Sequence, residues 1–315
     1  MVLTVTLNPA IDKFLILKQF AVHRLHRLES NEKSIISAGG KGVNIAINLH
    51  NLKDDVVASG FAGGHPGHLL CDELRRQGIT TSFVFTDGLT RTNISILDQE
   101  NETLTEINDF GFKIPKDDMD FFISNYERLL NRADIVVLAG SLPIGVPEDI
   151  YGTMITMART KGLKVIIHTS PQHLDPIIAS SPHIIVPDMR SYHKLMGKYC
   201  DGIPVFLEVG KDILVKNRDT EIVIFIHRIE NVVAITRDRS YVLRPLKLKI
   251  VNMLGYADAY LSGYIHAYLR KKPNEEILKY ASAAGLANVE SLSKELRSSE
   301  DIERNLNRIK MEEIK

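Results

Sequence analysis

The chain has 315 residues, room for one large α/β domain or two ordinary ones. Lys plus Arg and Asp plus Glu both number 39, so the formal charge is zero and the basic excess of a nucleic-acid-binding surface is missing. Two cysteines, Cys71 and Cys200, are too few for a disulfide framework or a Cys-rich zinc site, and read as small packing residues in a reducing compartment.

Residues 2–7 open the chain as a buried strand, too short to span a membrane and with no basic region ahead of it. No other stretch stays apolar long enough to cross a bilayer, which predicts a cytoplasmic protein without a membrane partner. Further β-branched runs at 56–60, 135–139, 164–167, 184–186 and 222–226 alternate with helical patterns such as 67–77, ended by Gly78, and 148–161, ended by Gly162. Alternation of this kind predicts βαβ units and a mainly parallel sheet. Residues 13–37 and 92–107 break it, reading as strands with no helix between them, and are expected to form a small antiparallel lid. Short strands follow at 232–236, 241–244 and 247–251. Next comes a helix over 259–269, then a second carrying Ile277, Ala281, Ala284 and Asn288 on one face. The tail from 294 to 315 is highly charged with an apolar stripe of Ile302, Leu306 and Ile309, and reads as a docked surface helix. Without repeats or a linker, residues 1–315 are expected to form a single domain.

Four segments could carry chemistry. Gly39-Gly40-Lys41-Gly42-Val43-Asn44 precedes a helical pattern, so glycines let the backbone approach a ligand while Lys41 and Asn44 add a charge and an amide. It is not a P-loop, since Gly42 lacks the hydroxyl that would hold magnesium, and a plain structural turn would look the same. Asn8-Pro9-Ala10-Ile11-Asp12 follows the first strand, at the sheet edge where α/β proteins bind ligands; Asp12 either meets sugar hydroxyls or is a solvated turn residue. Gly140-Ser141-Leu142-Pro143 lies at the same edge, and Arg91 beside a lid strand has the side chain suited to phosphate or is a solvated charge. Leu254-Gly255-Tyr256-Ala257-Asp258 opens a helix whose N–H groups could face a phosphoryl group; Asp258 is either a general base or a helix cap.

In this order the segments resemble the ribokinase-like (PfkB-type) carbohydrate kinases, in the branch of the 1-phosphofructokinases and tagatose-6-phosphate kinases. The carrying residues are those four segments together with Thr6-Leu7, Phe61-Ala62-Gly63-Gly64, Thr90-Arg91-Thr92-Asn93-Ile94 and Ile144-Gly145-Val146-Pro147. The resemblance implies a three-layer fold with helices on both faces of a central sheet and a β-sheet lid commonly used for dimerisation. It implies transfer of the ATP γ-phosphoryl, with Mg2+, to a hydroxyl of a phosphorylated ketohexose. Carried onto this chain, Asp12, Gly39, Gly40, Lys41, Asn44 and Asn93 would hold the sugar, Arg91 its phosphate, and Ser141 would line the pocket. Asp258 would be the base and Gly255, Tyr256 and Ala257 the anion hole, with Asp188 and Asn288 on the nucleotide and metal side.

The departures lie in the second half. The family's Gly-Ala-Gly-Asp is Gly255-Tyr256-Ala257-Asp258, and its Lys-Pro-Asn run leading to a Glu is Val186-Pro187-Asp188-Met189-Arg190-Ser191. His168 stands where the branch has an Asp, and residues 225–231 replace a glycine-bearing nucleotide segment. The erosion keeps a second reading open, a catalytically attenuated sugar-phosphate sensor or partner protein. Two further expectations follow: Phe14, Ile16, Phe20, Val22 and Ile35 leave the lid an apolar surface for a homodimer, and Tyr256 and Ala257 strain the turn before Asp258 and slow turnover.

Overall fold

The computed structural model describes residues 1–30, 33–190, 193–227 and 229–314. Strand β1 (Val2–Thr6) enters the middle of the main sheet, and the chain then leaves for β2 (Ala10–Leu17) and β3 (Ser34–Gly39) of the lid. Helix α1 (Lys41–Asn51), β4 (Val56–Gly63), α2 (Gly64–Arg76) and β5 (Thr80–Thr86) build one wing of the main sheet. β6 (Arg91–Asp98) and β7 (Thr103–Ile107) complete the lid. The other wing runs through α3 (Lys116–Leu130), β8 (Ile135–Ala139), α4 (Ile150–Thr160), β9 (Lys164–His168), α5 (Pro171–Leu174) and β10 (Ile184–Ile185). A hairpin of β11 (Lys194–Leu195) and β12 (Lys198–Tyr199), then α6 (Ile203–Lys216), lead to β13 (Ile222–His227). β14 (Asn231–Thr236), β15 (Ser240–Pro245), α7 (Tyr256–Leu269), α8 (Asn274–Val289), α9 (Ser299–Glu303) and β16 (Ile309–Ile314) finish the chain.

The main sheet has ten strands in the order β16-β15-β14-β13-β10-β9-β8-β1-β4-β5. Strands from β5 to β13 are parallel, and β13 to β16 continue as an antiparallel meander. β1, β4 and β8 are buried along their whole length, which is why they read as unbroken apolar runs instead of alternating ones. One apolar layer joins α1, α2, α7 and α8 to one face; a second joins α3, α4 and α6 to the other. Gly263 lets α7 meet α8 closely: a Cβ there would sit 2.5 Å from that of Ala284.

Four readings of the sequence are corrected. The lid is mixed, in the order β3-β2-β6-β7, because β2 and β6 run parallel while the outer pairs are antiparallel. Its two central strands leave the same edge of the main sheet separately, so they travel in the same direction. Residues 18–30, expected as strand, form an irregular connection whose basic stretch of His23, Arg24, His26 and Arg27 offers no alternating apolar face. Residues 247–251 are not a strand, because the edge of β15 is taken by β16. The tail is not one helix: Ser299–Glu303 is a short α-helix and Leu306–Arg308 a single 3-10 turn, and its apolar residues Ile302 and Ile309 are buried as the chain turns to pair with β15. β15 would otherwise expose unpaired backbone, and covering that edge outweighs helix propensity in a charged tail.

Candidate active site

The chain passes from β1 to β4 on one side and returns to β8 on the other, which leaves a crevice beyond the carboxyl ends of these strands. A cleft of about 710 Å³ opens there, under the lid and against the first turns of α1 and α7. It is lined by Asp12, Gly40, Lys41, Asn44, Arg91, Asn93, Ser141, Asp188, Gly255 and Asp258. Residues drawn from six separate stretches of sequence therefore converge on one space.

Gly40 has φ +106°, and a Cβ there would lie 2.8 Å from Thr6 Cγ2 and 3.1 Å from Pro9 Cα. Only glycine lets α1 begin this close to the loop after β1. Gly39 does not line the cleft; its missing side chain makes room for the Asp12 carboxylate, which a Cβ would approach to 2.2 Å. Asp12 is a strand residue on β2, not a turn residue, and its Oδ1 accepts from Asn93 Nδ2 at 2.9 Å. Its Oδ2 accepts from Lys294 Nζ at 2.6 Å, and the same ammonium donates to the Ala38 carbonyl at 2.7 Å. Arg91 donates one hydrogen bond from each terminal nitrogen, to the carbonyls of Asp109 and Asn8, both at 2.9 Å, and its Nε is buried without a partner among the described residues. Asn8 in turn bonds Ser141 Oγ at 3.3 Å, so Arg91 and Asn8 brace the cleft wall.

Asp258 lies in the first turn of α7, 6% exposed. Asn44 Nδ2, from the first turn of α1, donates to its Oδ2 at 2.8 Å, while Oδ1 has no hydrogen-bond partner among the described residues. His168 Nε2, also buried and unpartnered, stands 3.8 Å from that Oδ1. On the other side Lys41 Nζ meets Asp188 Oδ2 at 2.6 Å and Arg190 Nε meets Oδ1 at 3.1 Å. Burial pushes the Asp188 carboxyl up, but the Lys41 ammonium and Arg190 guanidinium outweigh it and hold it well below the usual carboxylate range.

The expected strain at the α7 turn is absent. The left-handed residue is Gly255, at φ +79°, while Tyr256 and Ala257 already belong to the helix. Tyr256 points away from the cleft, its ring lying where a Cβ on Gly285 would come within 2.6 Å. Ala257 is half-buried and outside the cleft lining, and Asn288 sits behind Gly255 with both amide atoms buried and unpartnered. Residues 225–227 complete β13, which turns directly into β14, and Ser191 and Arg228 lie outside the described residues.

A family model described as pfkB family carbohydrate kinase matches residues 6–300. The chain belongs to this family. The kinase is 30% identical over 290 residues, 91% of its own length and 92% of the other's, to tagatose-6-phosphate kinase of Staphylococcus epidermidis. The structure of a possible 1-phosphofructokinase from Thermotoga maritima matches it with a TM-score of 0.94 at 32% identity, covering 100% of both chains. Phosphofructokinase-2 of Escherichia coli, solved in a tetrameric inhibited form, shares the fold with a TM-score of 0.86 at 20% identity, over 97% of this chain and 98% of that one.

A kinase of this family takes ATP as donor, with Mg2+ as the usual ion. Mg2+ prefers one or two free carboxylates together with phosphate oxygens and water. Asp188, expected as a possible ligand, has both oxygens engaged by cations, and among the described residues no group of three or more His, Cys, Asp or Glu side chains converges. With both oxygens engaged, Asp188 as placed does not offer the free carboxylate that such an ion takes. The cations of the cleft that sequence reasoning missed are Arg190 and Lys294. Lys294 sits in a charged tail where nothing separates it from a solvated lysine, and only the return of that segment to the cleft reveals it.

Proposed function

We propose that this kinase transfers the γ-phosphoryl of ATP–Mg to a hydroxyl of a phosphorylated ketohexose, of the fructose 1-phosphate or tagatose 6-phosphate type. The observation that carries the reading is Asp258: a buried carboxylate at a helix N-terminus, accepting from Asn44 at one oxygen and without a hydrogen-bond partner among the described residues at the other. Asp258 takes the proton of the attacking hydroxyl, and the first N–H groups of α7 after Gly255 face the charge that develops on the transferring group. Asp12, held by Asn93 and Lys294, receives sugar hydroxyls together with the Gly40 backbone and Asn44. Lys41, Arg190 and Lys294 supply the positive charge that two phosphorylated substrates require, with Arg91 bracing the wall beside them. A groove of about 590 Å³ that shares Leu292 and Glu295 with the cleft leaves room for the rest of the nucleotide.

The lid exposes Val22, Leu25, Ile35, Ile36, Ile107 and Phe110, and this surface supports a homodimer; Phe14 and Ile16, expected there, are buried within their own chain. Two buried free cysteines and the absence of any described helix long and apolar enough to cross a membrane support a cytoplasmic setting. An assay of ADP release across fructose 1-phosphate, fructose 6-phosphate, tagatose 6-phosphate and unphosphorylated hexoses tests the substrate class. Turnover confined to phosphorylated ketoses is the expected result. Equal turnover of the free hexoses overturns the substrate class, and sugar-phosphate binding without any ADP release favours the attenuated sensor.

A further inference from the structure

His168 ends β9 in the interior, 1% exposed, directly behind Asp258. Its Nδ1 lies 2.8 Å from the Val186 carbonyl, an acceptor only, so Nδ1 carries the hydrogen of the neutral ring. Nε2 is then a bare lone pair, and it faces Asp258 Oδ1 across 3.8 Å with neither atom otherwise bonded. Two buried acceptors set against each other leave both unsatisfied, an arrangement that native interiors avoid. A single proton delivered to either atom turns the pair into a hydrogen bond after a closing movement of about 1 Å.

We propose that His168 is a positioning residue that stores the proton Asp258 removes from the sugar hydroxyl. The inference rests on Asp258 being the base. As the sugar oxygen bonds to phosphorus and the bond to the departing ADP oxygen breaks, the hydroxyl proton moves to the Asp258 carboxylate. The hydroxyl meets the carboxylate at Oδ2, because Oδ1 is buried against the ring. A half-turn of the carboxyl about its Cβ–Cγ bond then brings the protonated oxygen to Nε2, which takes the proton and restores the carboxylate opposite an imidazolium that donates to both Val186 and Asp258. The proton leaves by the same carboxylate as products depart.

The groups facing the ring come from three directions: Lys41 on α1, Asp188 after β10 and Asp258 on α7. Burial, reinforced by the Lys41 ammonium, lowers the imidazole's affinity for a proton against the opposing pull of Asp188, Asp258 and the Val186 carbonyl. The ring thus waits neutral, able to accept.

His168→Asn keeps a donor for Val186 and removes Nε2. With ATP–Mg and the best acceptor of the panel, this variant is expected to keep both KM values within about twofold and lose at least about tenfold in kcat. The acid limb of its kcat–pH profile is expected at lower pH than in the unaltered protein, where protonation of His168 before turnover blocks acceptance. Unchanged kcat overturns the proposal, and so does a lower kcat with an unshifted acid limb. Asp258→Asn run in parallel separates the two claims: full activity there refutes the base, whereas its loss beside an active His168→Asn refutes His168 alone. Nitrogen-15 imidazole spectra of the unaltered protein at neutral pH provide a test free of folding defects. A ring protonated only at Nδ1 is expected for His168, and a hydrogen on Nε2 in the free protein overturns the proposal.

Discussion

Gly255 carries the left-handed backbone that brings α7 to the cleft, and this single residue decides how the turn tolerates its neighbours. Alanine at 255 would occupy that conformation at roughly 1–2 kcal/mol and press its Cβ to 2.7 Å from the Lys294 carbonyl, on the segment that supplies the Asp12 partner. Gly255→Ala is therefore expected to lower both the melting temperature and kcat. Ala257→Gly is expected to weaken α7 by about 0.5–1 kcal/mol and leave the rate within about twofold, because Ala257 is already helical. Thermal unfolding and ADP release on the two proteins check this; a tenfold faster Ala257→Gly enzyme would show that the turn is strained after all. Sequence placed Asp12, Lys41, Asn44 and Asp258 in one cleft because each follows a strand or opens a helix. It could not show that Arg91 donates to the Asp109 and Asn8 carbonyls or that Lys294 reaches Asp12, since both depend on contacts between segments far apart in the chain.

At the scale of elements, the strands of the parallel wing were readable because they are buried on both faces and bounded by turns, as β1 and β8 show. β16 was not, because an edge strand with one covered face and alternating charges also satisfies a helical stripe. The parallel pairing of β2 with β6 was hidden for a different reason: the two strands are adjacent in space but separated by an entire βαβ unit. The lid and its connections leave Val22 78% and Phe110 79% exposed, along with Leu25, Ile36 and Ile107. A dimer joined through the lids is expected by light scattering at micromolar concentration. Phe110→Asp combined with Val22→Asp should yield monomers that remain folded, and an unaltered protein that is monomeric refutes the arrangement.

Across the whole molecule, three distant parts of the chain meet around one carboxylate. α1 contributes Asn44, the end of β9 contributes His168, and α7 contributes Asp258 itself. α7 is buried on nearly every side, packed on α1 and α8, so the position of Asp258 is set by the core and not by a mobile loop. The ion pairs of Lys41 with Asp188 and of Lys294 with Asp12 belong to surrounding segments that close the cleft.

Asp258 is no helix cap, since Gly255 holds that position and no side chain caps α7, so the carboxylate either moves a proton or serves only as the buried partner of Asn44. Asp258→Asn keeps the shape while removing the base, so kcat measured with saturating ATP–Mg and the preferred ketohexose phosphate reads the difference directly. A loss of roughly 10²–10⁴ in kcat, with sugar-phosphate binding by titration calorimetry retained, is the result this structure predicts. A variant that turns over at the unaltered rate would leave Asp258 a buried partner of Asn44 and contradict the mechanism.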